Sequence, residues 1–176
     1  AGLGIRFLKH LTRTRLLLHL VDMMPYDGST AAENAQVIEQ ELEKFSATMA
    51  TGDRWLVLNK VDLLPEDEIN DHCKAVVDHL NWQGPVFTMS GLASQGTKDL
   101  CAAIMDHIDE QRQQELADAD LAEQAEARRA DMQAEARQRI EELAEARKRA
   151  RVEAKQEKTD DHDDDDDYDV EVVYAE

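Results

Sequence analysis

The sequence is poor in several residue types that mark particular classes of protein. Its 176 residues include two cysteines, three prolines and seven glycines, and aromatic residues make up 5%. Neither Cys73 nor Cys101 has another Cys or His at metal-site spacing, which excludes a disulfide framework and a zinc module. Both cysteines lie in helical patterns among apolar neighbours, and this indicates two reduced thiols in the core. We therefore expect a reducing, cytoplasmic compartment.

Basic residues and long apolar runs are also scarce. Lys and Arg total 20 against 39 Asp and Glu, and residues 159–176 hold ten of the acidic residues and no basic one. A basic nucleic-acid-binding face is therefore not predicted. No signal peptide is visible, and no apolar run is long enough to span a bilayer. We expect a monomer without a membrane partner.

The motifs of phosphate chemistry are missing as well. The sequence has no Gly-x-x-x-x-Gly-Lys-Ser/Thr loop and no strand-end Asp-x-x-Gly. Phosphoryl transfer depends on such parts to hold phosphate and Mg²⁺. No Ser/His/Asp or Cys/His nucleophile set replaces them. We predict no catalytic residue and no metal ligand in this chain, and no nucleotide hydrolysis by the chain alone.

Three short apolar runs are present, and each predicts a strand. They cover residues 16–21, which Asp22 closes, then residues 55–58 and residues 86–89. Helical patterns separate the runs, so the order predicts an α/β fold with a parallel sheet and flanking helices. The continuous apolar character of the first run predicts a strand that is covered on both faces.

Amphipathic helices are predicted after each strand. Ser29 or Thr30 is expected to cap the first helix, which should continue to Gly52, and the third helix follows Gly96. The apolar positions are Val37, Ile38, Leu42, Phe45 and Met49 in the first helix, Ile69, Cys73, Val76, Val77 and Leu80 in the second, and Leu100, Ile104 and Ile108 in the third. Leu3, Phe7 and Leu11 predict one further short helix at the start.

The composition predicts three segments along the chain, residues 1–114, 115–158 and 159–176. Residues 115–158 are rich in Ala and mixed charge, without Gly or Pro, and predict a charged helical extension. A solvated helix is favoured, although Leu121, Met132 and Leu143 recur every 11 residues and leave a coiled-coil seam or a hairpin open. Residues 159–176 predict a disordered acidic tail, whose apolar end at residues 170–174 leaves a docking strand open.

The loop after the second predicted strand carries Asn59, Lys60, Val61 and Asp62. Guanine presents two donors, N1–H and the 2-amino group, which a carboxylate held in the base plane accepts together. We assign that role to Asp62. Asn59 is expected to hold the loop by bonding to neighbouring backbone, Lys60 to cover one face of the ring with its methylene stem, and Val61 to pack. The loop therefore predicts a guanine-recognition site.

A second candidate loop follows the third predicted strand, and it contains Ser90, Gly91 and Leu92. Because the carboxyl ends of parallel strands share one edge of the sheet, this loop should lie beside the first. The backbone N–H of Gly91 is expected to donate to guanine O6, and Ser90 is expected to brace Asp62. Ser-Gly is common in turns of every kind, so the prediction depends on the position of this loop at the neighbouring strand end.

These motifs resemble those of the bacterial Obg (CgtA) GTPases. Residues 1–10 are similar to the segment just after switch II in that family, and residues 16–22 to the strand that follows it. Asn59, Lys60 and Asp62 match the family's Asn-Lys-x-Asp motif. Ser90, Gly91 and Leu92 match its Ser-Ala-x motif, with Gly91 where Ala is usual. The chain would then begin within the nucleotide-binding domain.

The resemblance implies the second half of a Ras-like P-loop GTPase domain, followed by a charged helix and an acidic tail. It implies a slow Mg²⁺-dependent GTPase that binds GTP and GDP, responds to guanosine tetraphosphate, and acts in large ribosomal subunit assembly and in stress and growth control. The Mg²⁺ ligands would lie outside this chain. The alternative is a non-catalytic interaction module whose helix and acidic tail bind basic ribosomal proteins.

Overall fold

The computed structural model describes residues 9–160, with the backbone alone for residues 154–160, and shows a mixed α/β fold. The strands are β1 (Leu17–Asp22), β2 (Arg54–Asn59) and β3 (Val86–Met89), and the helices are α1 (Ala31–Phe45), α2 (Ala47–Ala50), α3 (Ile69–His79), α4 (Thr97–Ala117) and α5 (Ala119–Asp160). The strands are parallel, in the order β1-β2-β3. The predicted parallel sheet with flanking helices is confirmed.

The chain divides into two compact units, residues 1–139 and 140–176. The described part of the second unit, residues 140–160, is helical. The predicted segment boundaries lie at residues 114 and 158, and those ranges stay predictions. The predicted helix around Leu3 and Phe7, and the predicted features of residues 161–176, lie outside the described residues.

The carboxyl ends of the three strands lie side by side. Asp22 pairs in register with Asn59, and Asn59 pairs with Met89. Ligands of parallel α/β sheets gather at this edge, because the loops that leave the strands converge there. The loops that begin after Asp22, Asn59 and Met89 are therefore neighbours, as the sequence predicts.

The central strand β2 is buried on both faces. On one face Leu56 and Leu58 are fully buried and pack with Val21 of β1 and with apolar side chains of α1, of α3 and of the loops around these helices. On the other face Trp55 and Val57 pack against Leu100 of α4. Burial of consecutive residues is the pattern of a strand that has helices on both sides.

One face of β1 is uncovered in the described part of the chain. Leu18 and Leu20 are 42% and 57% exposed. They are in register with Trp55 and Val57, on the face where α4 packs on β2 and β3. The prediction that this strand is covered on both faces is therefore wrong for this face. An apolar run indicates which residues avoid water, but it does not supply the element that covers them.

The predicted first helix is divided into α1 and α2. Ser46 has an extended backbone, ends α1, and caps α2 by accepting a hydrogen bond from the Met49 N–H. Met49 is buried, whereas Val37 is 52% exposed, so the predicted single apolar face is wrong. Thr30 is the N-cap of α1 and forms a capping box with Glu33. It is one of the two residues predicted to cap this helix.

The two cysteines differ in their surroundings. Cys73 is half-buried against the core beneath α3, and burial raises the pKa of its thiol. Cys101 is exposed on α4. The prediction of two core thiols is therefore wrong for Cys101, because its neighbour Leu100 is the residue that α4 directs into the core.

The part of α5 that belongs to the first unit packs closely. Met132 and Ala136 are buried, and Glu135 between them accepts hydrogen bonds from Ser46 Oγ (2.6 Å), Thr48 Oγ1 (2.7 Å) and Thr48 N (3.1 Å). The expectation of a solvated helix is therefore wrong on this face. Among the described residues no helix has the length and apolar character needed to cross a membrane.

Candidate functional site

The loop after β2 reverses direction through an unusual backbone conformation at Lys60. Its φ of 69° and ψ of 29° lie in the left-handed region, where residues other than glycine are uncommon. A 3₁₀ turn, Val61–Leu63, follows directly. Val61 is buried in the core below the loop, as its assigned packing role requires. The turn is thus anchored from beneath, which fixes the starting point of the Asp62 side chain.

Asn59 connects the loop to both neighbouring strand ends. Its Oδ1 accepts a hydrogen bond from the Gly91 N–H at 3.0 Å, and its carbonyl accepts one from the Met23 N–H at 3.0 Å. Asn59 therefore holds backbone on either side, which is the role assigned from the sequence. The same bond occupies the Gly91 N–H, which was assigned to guanine O6. That donor reaches a base only after the bond to Asn59 opens or is shared.

The loop from Ser90 to Gln95 is closed on itself. Ser90 is fully buried. Its N–H donates to the Gln95 carbonyl at 3.0 Å, and its carbonyl accepts from the Gln95 N–H at 3.1 Å. Its hydroxyl accepts from the Ala93 N–H at 3.0 Å. The structure thus places the Ser90 hydroxyl within its own loop, and the expected brace to Asp62 is not among the described contacts. What Ser90 holds rigid is the backbone around Gly91.

The glycines of this region have different steric requirements. A Cβ at Gly91 would lie 3.6 Å from Met89 Cε and 3.7 Å from Asn59 Oδ1, which is ordinary van der Waals contact. Gly96 has φ of 71°, and a Cβ there would clash with the Thr88 carbonyl oxygen. Gly96 is therefore required by the backbone that shapes the loop, whereas Gly91 leaves room for alanine.

Asp22 is a charged neighbour of the loop that the predicted site does not include. Its Oδ2 lies 2.5 Å from Lys60 Nζ, and its Oδ1 accepts from the Met24 N–H at 3.0 Å. Burial alone would raise the pKa of Asp22, but the bonds from Lys60 and Met24 outweigh it and hold this pKa below its ordinary value. In the sequence, the acidic residue that closes the first predicted strand is the feature that indicates a charged neighbour for the loop after Asn59.

Asp62 and Leu92 face outward. Asp62 is exposed, and its carboxylate has no hydrogen-bond partner among the described residues. Leu92 is 93% exposed. The site therefore offers a free carboxylate on a turn anchored by Val61, beside a loop whose backbone is fixed. The Asp62 carboxylate is thus able to accept hydrogen bonds without first breaking a bond to another described residue.

The described residues do not fit a Mg²⁺ site. No group of three or more His, Cys, Asp or Glu side chains comes together in the part of the chain that the structure describes. Mg²⁺ in nucleotide sites is held by one or two carboxylates or hydroxyls together with phosphate oxygens. Within residues 9–160, neither a phosphate-holding loop nor an acidic cluster is present to supply them.

No protein-family model matches the chain.

Proposed function

We propose that this chain is the guanine-reading half of a GTP-binding domain, in an Obg-type GTPase that acts in large ribosomal subunit assembly and in stress and growth control. The observation that carries the proposal is the bond between Asn59 Oδ1 and the Gly91 N–H. It joins the two loops that carry the resemblance, on adjacent strand ends of a parallel sheet. Beside it, Asp62 presents a carboxylate that has no hydrogen-bond partner among residues 9–160.

The proposed selectivity follows from hydrogen-bond donors. A carboxylate at Asp62 accepts N1–H and the 2-amino group of guanine together. Adenine has an acceptor at N1 and no 2-amino group, so it would leave the carboxylate unpaired and face it with a lone pair. A charge-assisted hydrogen bond contributes about 1.5–3 kcal/mol net, and sites that bond a specific group reject analogues without it. Exposure of Asp62 favours the lower end of that range.

The phosphate-holding parts and Mg²⁺ ligands belong, in this proposal, to residues outside the 176 of this chain. Among the described strands β1 lies at one edge of the sheet, and its residues Leu18 and Leu20 are exposed. An unpaired strand edge and an apolar face together form a surface that further elements of a domain would pair with and cover. Binding of GTP, GDP and guanosine tetraphosphate, slow Mg²⁺-dependent hydrolysis, and a cytoplasmic location all rest on the resemblance.

The proposal is tested by nuclear magnetic resonance titration of the chain with guanosine, GDP and adenosine. We expect weak binding of guanosine, with shifts confined to the amides of residues 59–62 and 90–92. GDP should bind no more tightly than guanosine, because the sequence has no Gly-x-x-x-x-Gly-Lys-Ser/Thr loop to hold phosphate, and GTP should not be hydrolysed. Equal shifts with adenosine, or guanosine shifts at other residues, would overturn the proposal.

A second candidate function is favoured by charge. Residues 159–176 hold ten acidic residues and no basic one, which suits a segment that contacts basic ribosomal proteins. It is tested by co-sedimentation of the chain with large ribosomal subunits at low and high salt, with and without residues 159–176. Loss of a salt-sensitive interaction on deletion supports this role, and unchanged sedimentation argues against it.

A further inference from the structure

The conformation of Lys60 requires something to hold it. A residue with a Cβ is disfavoured in the left-handed region, and it stays there where the surroundings determine it. The Lys60 carbonyl accepts from the Leu63 N–H at 3.1 Å, which closes the 3₁₀ turn. That bond fixes the residues after Lys60, but it does not hold the side chain. A contact of the Lys60 side chain is a further means of holding this conformation, in addition to buried Val61.

The contact is made across two strand ends. Lys60 Nζ lies 2.5 Å from Asp22 Oδ2, and both side chains are about two-fifths exposed, at 42% and 37%. Asp22 is itself fixed, since its other oxygen accepts from the Met24 N–H. A carboxylate that is held at the end of β1 thus tethers the loop at the end of β2.

We propose that Asp22 is a positioning residue of the base site. By binding the Lys60 ammonium, it keeps Lys60 in the left-handed conformation and so orients Asp62, two residues further on, for an incoming base. The consequence for base binding rests on the proposed function, whereas the effect on the loop does not. Asp22 touches neither base nor phosphate in this account, so its removal changes affinity without changing which base is chosen.

The conformational part is tested on the nucleotide-free chain with Asp22→Asn. Asp27→Asn is the matched control, because it removes the same charge from the same loop and Asp27 bonds to Ser29 rather than to Lys60. The measurement is the intraresidue HN–Hα Overhauser effect and coupling of Lys60, which report positive φ. We expect Asp22→Asn to weaken this signature, and Asp27→Asn to leave it unchanged.

A further variant separates positioning from general stability. Glycine adopts positive φ freely, so the loop of the Lys60→Gly variant should not need the tether from Asp22. Adding Asp22→Asn to Lys60→Gly should therefore leave the amide chemical shifts of Val61 and Asp62 as they are in Lys60→Gly alone. If Asp22→Asn unfolds the chain, the thermal midpoint of this double variant decides instead. A midpoint restored to that of Lys60→Gly supports the inference, and one that stays low contradicts it.

The ligand part is measured as affinity against selectivity. An exposed ion pair contributes up to about 1 kcal/mol, or about fivefold, so Asp22→Asn should weaken guanosine binding by up to that factor. The preference for guanosine over xanthosine should not change. An unchanged Lys60 signature would overturn the inference whatever the ligand does. If the signature changes while the unaltered chain binds no guanosine, the proposed function fails and the positioning of the loop stands.

Discussion

Two glycines near the candidate site have opposite requirements, and they give the first prediction. Gly91→Ala fits the available space at negative φ, so it should keep the fold and gain about 0.4–1 kcal/mol from a less flexible unfolded chain. Gly96→Ala should lose about 1–3 kcal/mol, since it combines positive φ with a clash against the Thr88 carbonyl. Urea unfolding of both variants measures this. Equal destabilisation by the two would contradict the assigned geometry.

His19 gives a pH prediction at the same scale. Burial first, and the nearby Arg54 charge second, lower its pKa from 6.5 to about 4. Above pH 6.5 neither the folded nor the unfolded state protonates His19, and its contribution to stability is constant. Between about pH 6.5 and 4 only the unfolded state gains the proton. The free energy of unfolding should therefore fall as pH falls through this window, by about 3 kcal/mol at most.

The measurement is urea unfolding from pH 7.5 to 4 for the unaltered chain and for His19→Gln. We expect the difference in unfolding free energy between the two to shrink steadily below pH 6.5. His10→Gln, which replaces an exposed imidazole, is the matched control. A constant difference for His19→Gln across the window would show that His19 is not held neutral in the fold.

At the scale of elements, the contact between α5 and α2 is the least expected feature. Glu135 accepts three hydrogen bonds at the start of α2, and Arg128 donates to the Thr48 carbonyl at 3.3 Å on the same side. Burial alone would raise the pKa of Glu135, but the bonds from Ser46 and Thr48 outweigh it and hold that pKa below its ordinary value. The carboxylate is thus kept charged where it can cap the short helix.

Glu135→Ala should cost about 2 kcal/mol, because it leaves the Ser46 and Thr48 donors without their acceptor. Amide exchange in residues 119–139 should rise, while the sheet stays protected. Glu126, exposed on the same helix, provides the control, and Glu126→Ala should change neither stability nor exchange. If exchange in residues 119–139 is already unprotected in the unaltered chain, the packing of α5 described above is wrong.

Local patterns in the sequence are enough to locate the strands. Val86–Met89 and the β2 run are short, apolar and bounded by turn residues, and this pattern is typical of buried strands. Exposure of Leu18 and Leu20 could not be read from the same pattern, since it depends on an element elsewhere. Asp22 with Lys60, and Glu135 with Ser46, join residues far apart in sequence, and no local spacing encodes such pairs.

The candidate site shows the same division. The residues of the two loops and their position at adjacent strand ends follow from the motifs and the parallel sheet. Which donor meets which acceptor does not. The Gly91 N–H donates to Asn59 Oδ1, and the Ser90 hydroxyl accepts from the Ala93 N–H, because polar groups of a folded loop find hydrogen-bond partners within the fold.

At the scale of the whole molecule, the described residues form the strand-end edge that we propose reads a base, without a phosphate-holding part. The three strand ends are joined by Asn59 to Gly91 and by Lys60 to Asp22. The acidic excess of the chain opposes phosphate groups rather than attracting them. Any affinity of this chain for a nucleotide should therefore come from the base.

Asp62→Asn, titrated with guanosine and with xanthosine, tests that account most directly. Xanthine carries a carbonyl at position 2, to which an asparagine amide can donate, whereas guanine there requires an acceptor. We expect the unaltered chain to prefer guanosine and Asp62→Asn to prefer xanthosine, with amide shifts in residues 59–62 in both. Guanosine affinity that is unchanged in Asp62→Asn would contradict the assignment of Asp62 and, with it, the proposed function.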